Sequence, residues 1–441
     1  MPSTVEHTAT SPQSAKPIVL GILAIATIYL LQIYSPLRLV NDGVVYLSLA
    51  TSAVDGHGFI YHGAPEQYPL GYPALIYLLV KMGLGHAWAF NALNCLFLGL
   101  AIVAAYHILR ASLAMTREKA LRLCAMTMLS FIVVKHVTQM VSDTVFFGAS
   151  MSCLWALVWA EQAEQTRRRH VRCALAFGLA VFATSVRAIG IALLPAIVFV
   201  ALGGAPALQR WAEKLRQRRR AAVIATLGLL LLAVVGVFVI TRTQYFHMAL
   251  SSYRARGVSR SVTKALEFQL GEWGEFLANL PQAKLPAPLQ PFIFLVGLMA
   301  MALAAAGIWK RRRNLGALEV YLFGYLLTLL AAPWQDARYL LPVIPLLLGY
   351  LAVFTEDLPK HRFVRFALAT YVVYFFLLGI AALVYSTRIT FSGRSFPDLY
   401  GDGTIRATYR AAYREPSDPA AGQVNPDALD LLLRYDPRFR R

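Results

Sequence analysis

Apolar stretches of about 20 residues recur along this chain, each long enough to cross the roughly 30 Å hydrocarbon core of a bilayer as a helix. They are continuously apolar, whereas the strands of a membrane β-barrel alternate apolar and polar residues. Of the 441 residues, 58% are hydrophobic and 15% are charged, against about 25% charged in an ordinary soluble domain. The sequence therefore predicts an all-α integral membrane protein.

We predict about 11 transmembrane helices, which define a polytopic domain over residues 18–387. A polar N-terminal tail, 1–17, precedes it, and the first span is expected to act as a signal anchor because no small-residue cleavage site follows. The C-terminal tail, 388–441, is polar and rich in Pro and Asp, and is expected to fold as a small appendage or stay partly disordered. The predicted spans are 18–36, 87–109, 121–137, 143–160, 172–187, 189–203, 221–241, 289–309, 315–332, 339–355 and 366–387.

Loop charges orient these spans. The loops on one side carry 21 arginines and lysines, whereas the short turns on the other side carry only Lys135, Arg187 and Arg338. Because basic loops stay in the cytoplasm, this asymmetry predicts a cytoplasmic N-terminus and an extracytoplasmic C-terminus. The net charge of +19 is then explained by loops that face anionic lipid, and no nucleic-acid partner is expected. The basic loops are 110–122, 161–172, 204–220, 310–314 and 356–365.

Two long segments, 37–86 and 242–288, lie on the predicted outer side. The second contains a predicted amphipathic helix, 262–280, which is expected to lie in the plane of the lipid headgroups. Its apolar side is formed by Leu266, Leu270, Trp273, Phe276 and Leu277, with Glu267, Glu272 and Glu275 elsewhere.

Charged residues are almost absent from the interiors of the predicted spans. Glu319 lies near the inner end of its helix, and the other spans hold charge only at their ends. Ion-coupled transporters and channels place ionisable residues near the middle of the bilayer, where these residues carry the coupling. The sequence therefore argues against such a protein, although a lipid flippase without ion coupling stays open.

Five ionisable residues from distant stretches share one depth at the outer face. Carboxylates can accept a proton from an attacking hydroxyl, and arginines bind phosphate through two parallel hydrogen bonds. This chemistry suits transfer of a group from a phosphate leaving group embedded in lipid. Each residue also has a structural explanation, such as a helix cap for the second acid or an interfacial anchor for the last arginine. The five are Asp42, Asp143, Arg187, Asp336 and Arg338.

The histidines give no metal motif, because neither HxxxH nor HExxH spacing occurs. A divalent metal ion held between distant loops stays open, with Glu66 and either His57 or His62 as candidates.

Several short motifs lie at or near the predicted outer ends of the spans. They are Asn41-Asp42-Gly43 with Tyr46, the stretch 68–75 (Tyr-Pro-Leu-Gly-Tyr-Pro-Ala-Leu), Ser142-Asp143-Thr144, Arg187 with Gly190, and the stretch 338–345 (Arg-Tyr-Leu-Leu-Pro-Val-Ile-Pro). Together these motifs resemble the lipid-phosphosugar-dependent glycosyltransferases of the GT-C fold, which include protein O-mannosyltransferases and lipid A aminoarabinose transferases. This chain has Asn-Asp-Gly where many members have two acids, and Leu70 replaces the second proline of the Tyr-Pro motif.

The resemblance implies an inverting enzyme that moves a sugar from a polyprenyl-phosphate donor to an acceptor hydroxyl on the extracytoplasmic face. Asp42 would be the general base, and Asp143 would orient the acceptor or assist a metal. The donor phosphate would be held by arginines, and segment 37–86 would form short helices over the site. The expected location is a bacterial inner membrane, with the site facing the periplasm. The substrate-binding residues implied are Arg187, Arg338, Tyr339, Tyr68, Tyr72 and Glu66.

Two other function classes stay open. One is a flippase or exporter of a lipid-linked glycan. The other is a polymerase or ligase of such glycans, for which Arg254, Arg256 and Arg260 in the late outer segment are suggestive. The sugar, the length of the lipid carrier and the acceptor, whether protein, lipid or glycan, are not determined by the sequence.

Overall fold

The structure is a computed structural model. It describes residues 16–66, 68–205, 258–331, 336–356, 358, 361–392, 403–415 and 422–439, with the single positions 209, 251 and 254. The predicted seventh span, 221–241, lies outside the described residues, as do Arg256, Trp334 and the side chain of Arg260.

The described chain is mostly helical, as predicted. Its α-helices are α1 (Lys16–Leu31), α2 (Asn41–Val54), α3 (Gly71–Lys81), α4 (Ala87–Ala111), α5 (Arg117–Met128), α6 (Phe131–Val137), α7 (Asp143–Glu161), α8 (Thr166–Val186), α9 (Leu194–Ala201), α10 (Val258–Ala278), α11 (Phe292–Lys310), α12 (Ala317–Ala331), α13 (Ile344–Thr355), α14 (Arg362–Ser392), α15 (Gly403–Ala412) and α16 (Pro426–Tyr435). Short 3-10 turns lie at Gln32–Tyr34, Ala188–Leu193, Gln282–Lys284, Ala287–Leu289, Ala337–Val343 and Pro437–Phe439.

Six helical stretches in the described residues are long and apolar enough to cross a membrane. A seventh is counted if α5 and α6, which meet at a bend of 55°, form one span. The other ten predicted spans all fall on helices, but α9 has 8 residues and α12 has 15, too few to cross alone. The count of eleven and the orientation of the termini therefore stay predictions.

The first outer segment, 37–86, holds α2 and α3, so its predicted helical character is found. Between them lies a small antiparallel hairpin that the sequence did not predict, formed by β1 (Ile60–Tyr61) and β2 (Ala64–Pro65). Both residues of its turn, His62 and Gly63, have positive φ angles.

The amphipathic helix of the second outer segment is α10, and it packs closely along α11. A Cβ added to Gly274 would lie 2.1 Å from the carbonyl oxygen of Ile293, so only glycine allows this approach. Glu272 is buried beside Trp273, whereas Leu266 is 52% exposed, and the placement of this helix in the headgroup plane stays a prediction. The carboxylate of Glu272 faces the protein, where it accepts a backbone N–H.

Helix α7 is the centre of the bundle, since 83% of its most apolar 18-residue stretch is buried inside the protein. Small residues let its neighbours approach: a Cβ added to Gly148 would lie 2.6 Å from the carbonyl oxygen of Phe97 in α4. Asp143 is the first residue of α7, so the best-packed helix of the bundle fixes the position of this carboxylate.

Candidate functional site

Asp42 lies in the first turn of α2, where the helix dipole favours a carboxylate. The chain before it is extended, with Val40 at φ −129° and ψ 170°. The next residue is Gly43, and a Cβ there would lie 2.5 Å from the carbonyl oxygen of Met140. The glycine of the Asn-Asp-Gly motif therefore lets α2 begin directly against the loop that leads into α7.

Asp143 forms an ion pair with Arg187, which follows the end of α8. The side chain of Asp143 is 2% exposed, so the pair is buried on the acid side. Ser142 is the N-cap residue of α7, and its hydroxyl lies 3.2 Å from the hydroxyl of Tyr46. Gly190 is needed for the turn after Arg187, because an added Cβ would lie 2.6 Å from the backbone nitrogen of Thr184.

Arg338 links the two acids. Its Nη2 donates to Asp42 Oδ2 at 2.6 Å, and its Nη1 lies 3.9 Å from Asp143 Oδ2. Its Nε lies 3.1 Å from Asp336 Oδ2, and the carboxylate of Asp336 also accepts the backbone N–H of Arg338. The side chain of Arg338 is 14% exposed, and that of Asp42 is 24% exposed. The structure thus brings together all five ionisable residues that the sequence placed at one depth.

Aromatic residues surround this cluster. The hydroxyl of Tyr68 donates to Asp42 Oδ1 at 3.1 Å. The ring of Tyr339 lies under both arginines, with the guanidinium carbon of Arg187 at 4.9 Å from its centroid and that of Arg338 at 5.5 Å. Such contacts hold guanidinium planes in fixed orientations.

Two predicted substrate-binding residues lie elsewhere. Tyr72 is fully buried, its ring packs edge-on against Tyr46, and its hydroxyl points to the sulfur of Met140. Glu66 follows the hairpin, near Tyr61. Burial, the hydrogen bond to Asp427 and the charges of Asp427 and Glu66 together raise the pKa of Tyr61 to about 12.

A further group of ionisable residues lies behind Arg338. The carboxylate of Glu272 accepts the backbone N–H of Asp336 at 2.6 Å, and burial raises the pKa of Glu272 to about 8. The pKa of Asp336 is lowered, because the charges of His136, Arg338 and Lys135 outweigh the effect of its burial. Sequence reasoning missed Glu272 and His136. The local sequence does not mark Glu272, because its partner is the backbone N–H of Asp336, far away along the chain.

In the described part of the chain, no group of three or more His, Cys, Asp or Glu side chains is arranged to hold a metal ion. Of the candidates named from the sequence, His62 has its Nε2 2.8 Å from Asp427.

The ionisable cluster can do two things chemically. Its guanidinium groups carry several N–H donors in a plane, so they can bind a phosphate through two parallel hydrogen bonds. The carboxylate of Asp42, whose side chain is 24% exposed, can accept a proton from a hydroxyl placed against it.

Comparison with known proteins shows the fold. No family model matches the sequence, and no curated protein matches it. Among solved structures, ArnT from Cupriavidus metallidurans bound to undecaprenyl phosphate superposes with a TM-score of 0.55 at 14% identity, over 96% of this chain and 85% of that one. The apo state of the same protein gives 0.55 at 12% identity, with the same coverage. The archaeal oligosaccharyltransferase AglB from Archaeoglobus fulgidus, in complex with an inhibitory peptide and a dolichol-phosphate, gives 0.52 at 11% identity, over 97% of this chain and 65% of that one.

Both ArnT and AglB are GT-C fold enzymes, so the resemblance inferred from the motifs is confirmed at the level of the fold. With its apolar helices, the chain is a multi-pass membrane protein.

Proposed function

We propose that this chain is a membrane glycosyltransferase that moves a sugar from a polyprenyl-phosphate donor to an acceptor hydroxyl on the extracytoplasmic face. The observation that carries the proposal is the direct contact between Asp42 and Arg338, 2.6 Å, beside the Asp143–Arg187 pair. A base and two phosphate-binding groups thus lie within reach of one reacting sugar. The shared fold supports the donor class, because ArnT and AglB bind undecaprenyl phosphate and dolichol-phosphate.

The proposed reaction is one inverting displacement. The acceptor oxygen forms a bond to the anomeric carbon as the bond from that carbon to the phosphate oxygen breaks, and the hydroxyl proton passes to Asp42. The polyprenyl phosphate leaves with the electron pair. Arg187 and Arg338 stabilise its charge, because their positions are set before the reaction begins. Asp143 keeps Arg187 in place and borders the acceptor position.

Donor binding also prepares the base. In the structure, Arg338 donates to Asp42, and this contact occupies the carboxylate oxygen that the acceptor needs. A phosphate between the two arginines competes for the same N–H groups and releases that oxygen. Tyr68 continues to orient Asp42 through the other oxygen. The acceptor is therefore activated only when the donor is present.

The aromatic residues divide into two roles. Tyr339 and Tyr68 contact the ionisable groups directly and border the substrate position. Tyr72 supports Tyr46 from within the packed interior. Glu66 lies directly after the hairpin, near Tyr61. No step of this reaction is assigned to a metal ion.

The acid nearest a span interior fits a structural role. Glu319 accepts hydrogen bonds from Arg311 at 3.0 Å and from Tyr350 at 2.8 Å, so it is already paired. A paired, buried acid at a helix end favours packing over ion coupling, which is consistent with an enzyme rather than a transporter.

The test uses membranes that contain the wild-type chain or Asp42→Asn, incubated with radiolabelled polyprenyl-phosphate sugars. We expect transfer by the wild type and a loss of about 10²–10⁴-fold in kcat for the variant, because the base is removed while the side-chain size is kept. Asp55→Asn, at the far end of the same helix, is the matched control and should keep its activity. Undiminished transfer by Asp42→Asn would remove Asp42 as the base.

A further inference from the structure

The C-terminal tail folds back onto the first outer segment. Its described parts, 403–415 and 422–439, are called the tail unit here, and residues 35–40, just before Asp42, are called the anchor segment. We propose that the tail unit is a positioning element for Asp42, acting through the anchor segment. This inference rests on the proposed function.

Side chains of the tail unit form hydrogen bonds to the backbone N–H and C=O groups along one edge of the anchor segment. Asp436 Oδ2 accepts the N–H of Leu37 at 2.9 Å. The hydroxyl of Tyr409 accepts the N–H of Leu39 at 2.8 Å and donates to the carbonyl oxygen of Leu37. All four residues are buried, so water cannot replace these partners.

The opposite edge of the anchor segment sets the register of the two acids. The carbonyl oxygen of Arg38 accepts the N–H of Met140 at 3.0 Å, within a parallel bridge between Arg38 and Gln139. Asp42 follows Arg38 by four residues, and Asp143 follows Met140 by three. A shift of the anchor segment would therefore move Asp42 relative to Asp143.

The side chain of Arg38 joins the same structure to the last long helix. Its guanidinium donates to Thr138 Oγ1 at 2.7 Å, to Ser386 Oγ at 3.1 Å and to Thr390 Oγ1 at 3.1 Å. Ser386 and Thr390 lie near the end of α14, which leads into the tail. The anchor segment is thus held from three directions, and the tail supplies one complete edge.

Other contacts between the tail and the first outer segment lie far from Asp42. Arg434 forms a two-pronged ion pair with Asp55, at 2.9 and 2.7 Å, just after the end of α2. Asp55 stands thirteen residues beyond Asp42, roughly 20 Å along a helix. Loss of this pair should loosen the tail without moving the base, which makes Arg434→Gln a matched control.

The kinetic test compares Tyr409→Phe and Asp436→Asn with Arg434→Gln, each in the full-length protein and normalised to the folded fraction. We expect kcat to fall by at least about 10-fold for the first two, because a small misplacement of a reacting group costs large factors in rate. The donor KM should stay within about 2-fold, since Arg187 and Arg338 are not displaced. Arg434→Gln should keep the wild-type kcat. Equal kcat values in all three variants, or a proportional loss of kcat and donor affinity, would overturn the proposal.

A second measurement does not depend on activity. Hydrogen–deuterium exchange of peptides that cover residues 37–46 should be slow in the wild type and in Arg434→Gln, and clearly faster in Tyr409→Phe and Asp436→Asn. Unchanged protection in those two variants would sink the inference even where transfer is seen. If the wild type transfers no sugar, the proposed function fails, while the exchange result still decides whether the tail positions this segment.

Discussion

At the scale of single residues, the pair of Asp143 with Arg187 couples stability to the site. The Asp143 side chain is almost fully buried, so removing its partner leaves a charge with little solvent. We expect Arg187→Gln to destabilise the protein by about 3 kcal/mol, the low end of the usual range, because Arg338 Nη1 lies 3.9 Å from the same carboxylate. Thermal unfolding in detergent measures this. The double variant Asp143→Asn/Arg187→Gln should recover most of the loss, and a double variant as unstable as the sum of the two singles would contradict the coupling.

Glu272 gives the fold a pH dependence. Burial raises its pKa to about 8, above its ordinary value of about 4.3, so the folded state holds this proton over a wider pH range than the unfolded state. The contribution of Glu272 to the free energy of unfolding is therefore fully present below about pH 4.3. It is lost as pH rises to about 8, by at most about 1.4 kcal/mol per pH unit. Melting temperatures measured across this window should fall less steeply in Glu272→Gln. Parallel curves for variant and wild type would show that Glu272 is ionised throughout.

The grouping of the five ionisable residues could be predicted from the sequence because their chemistry and their depth agreed. Asp42 and Arg338 could be identified as candidate site residues because a charged residue at the end of an apolar span calls for a functional or structural explanation. Glu272 and Asp436 could not be chosen, because their role comes from backbone N–H groups far away in the sequence, at Asp336 and Leu37. Nothing in local composition marks which carboxylate will meet such a partner.

At the scale of elements, glycines set how closely helices and loops approach. A Cβ on Gly43 would meet the Met140 carbonyl oxygen at 2.5 Å, whereas a Cβ on Gly99 in α4 has nothing within 4 Å. We expect Gly43→Ala to cost about 1–3 kcal/mol, since α2 must shift away from the loop before α7. Gly99→Ala, the matched control, should be neutral or stabilising by up to about 1 kcal/mol. Unfolding curves for the two variants that coincide would contradict the close approach at Gly43.

Hydropathy predicted where helices occur better than it predicted which helices are buried in protein and which face lipid. Among the candidate spanning helices, α7 is the least apolar and the most buried. In contrast, α14 is among the most apolar, and only 17% of its most apolar stretch is buried inside the protein. Lipid demands apolar side chains, while a protein neighbour accepts small and polar ones such as Ser150. The bend between α5 and α6 also escaped prediction, because it falls at Leu129 and Ser130, with no proline or glycine to mark it.

At the scale of the whole molecule, the tail unit constrains the topology. Because residues 403–439 contact residues 37–61, both must lie on one side of the membrane. The chain between them therefore crosses an even number of times. The ten spans predicted after the first one satisfy this condition, and so would any other even number. The contact thus supports the relative placement of site and tail, and the side on which both lie requires a separate measurement.

Cysteine labelling in intact cells decides that side. Asp430 in the tail and Arg168 at the start of α8 are both exposed, and Cys124, Cys153 and Cys173 are buried. We expect a membrane-impermeant maleimide to label Asp430→Cys in intact cells, and to label Arg168→Cys only after the membrane is opened, because the arginine-rich loops stay inside. The wild type measures background labelling, including that of Cys95.

Labelling of Arg168→Cys in intact cells, with Asp430→Cys protected, would reverse the predicted orientation and place Asp42 in the cytoplasm, where the proposed extracytoplasmic transfer could not occur. Labelling of both in intact cells would instead contradict the odd number of crossings predicted between the first outer segment and α8, since the site and the basic loops would share one face.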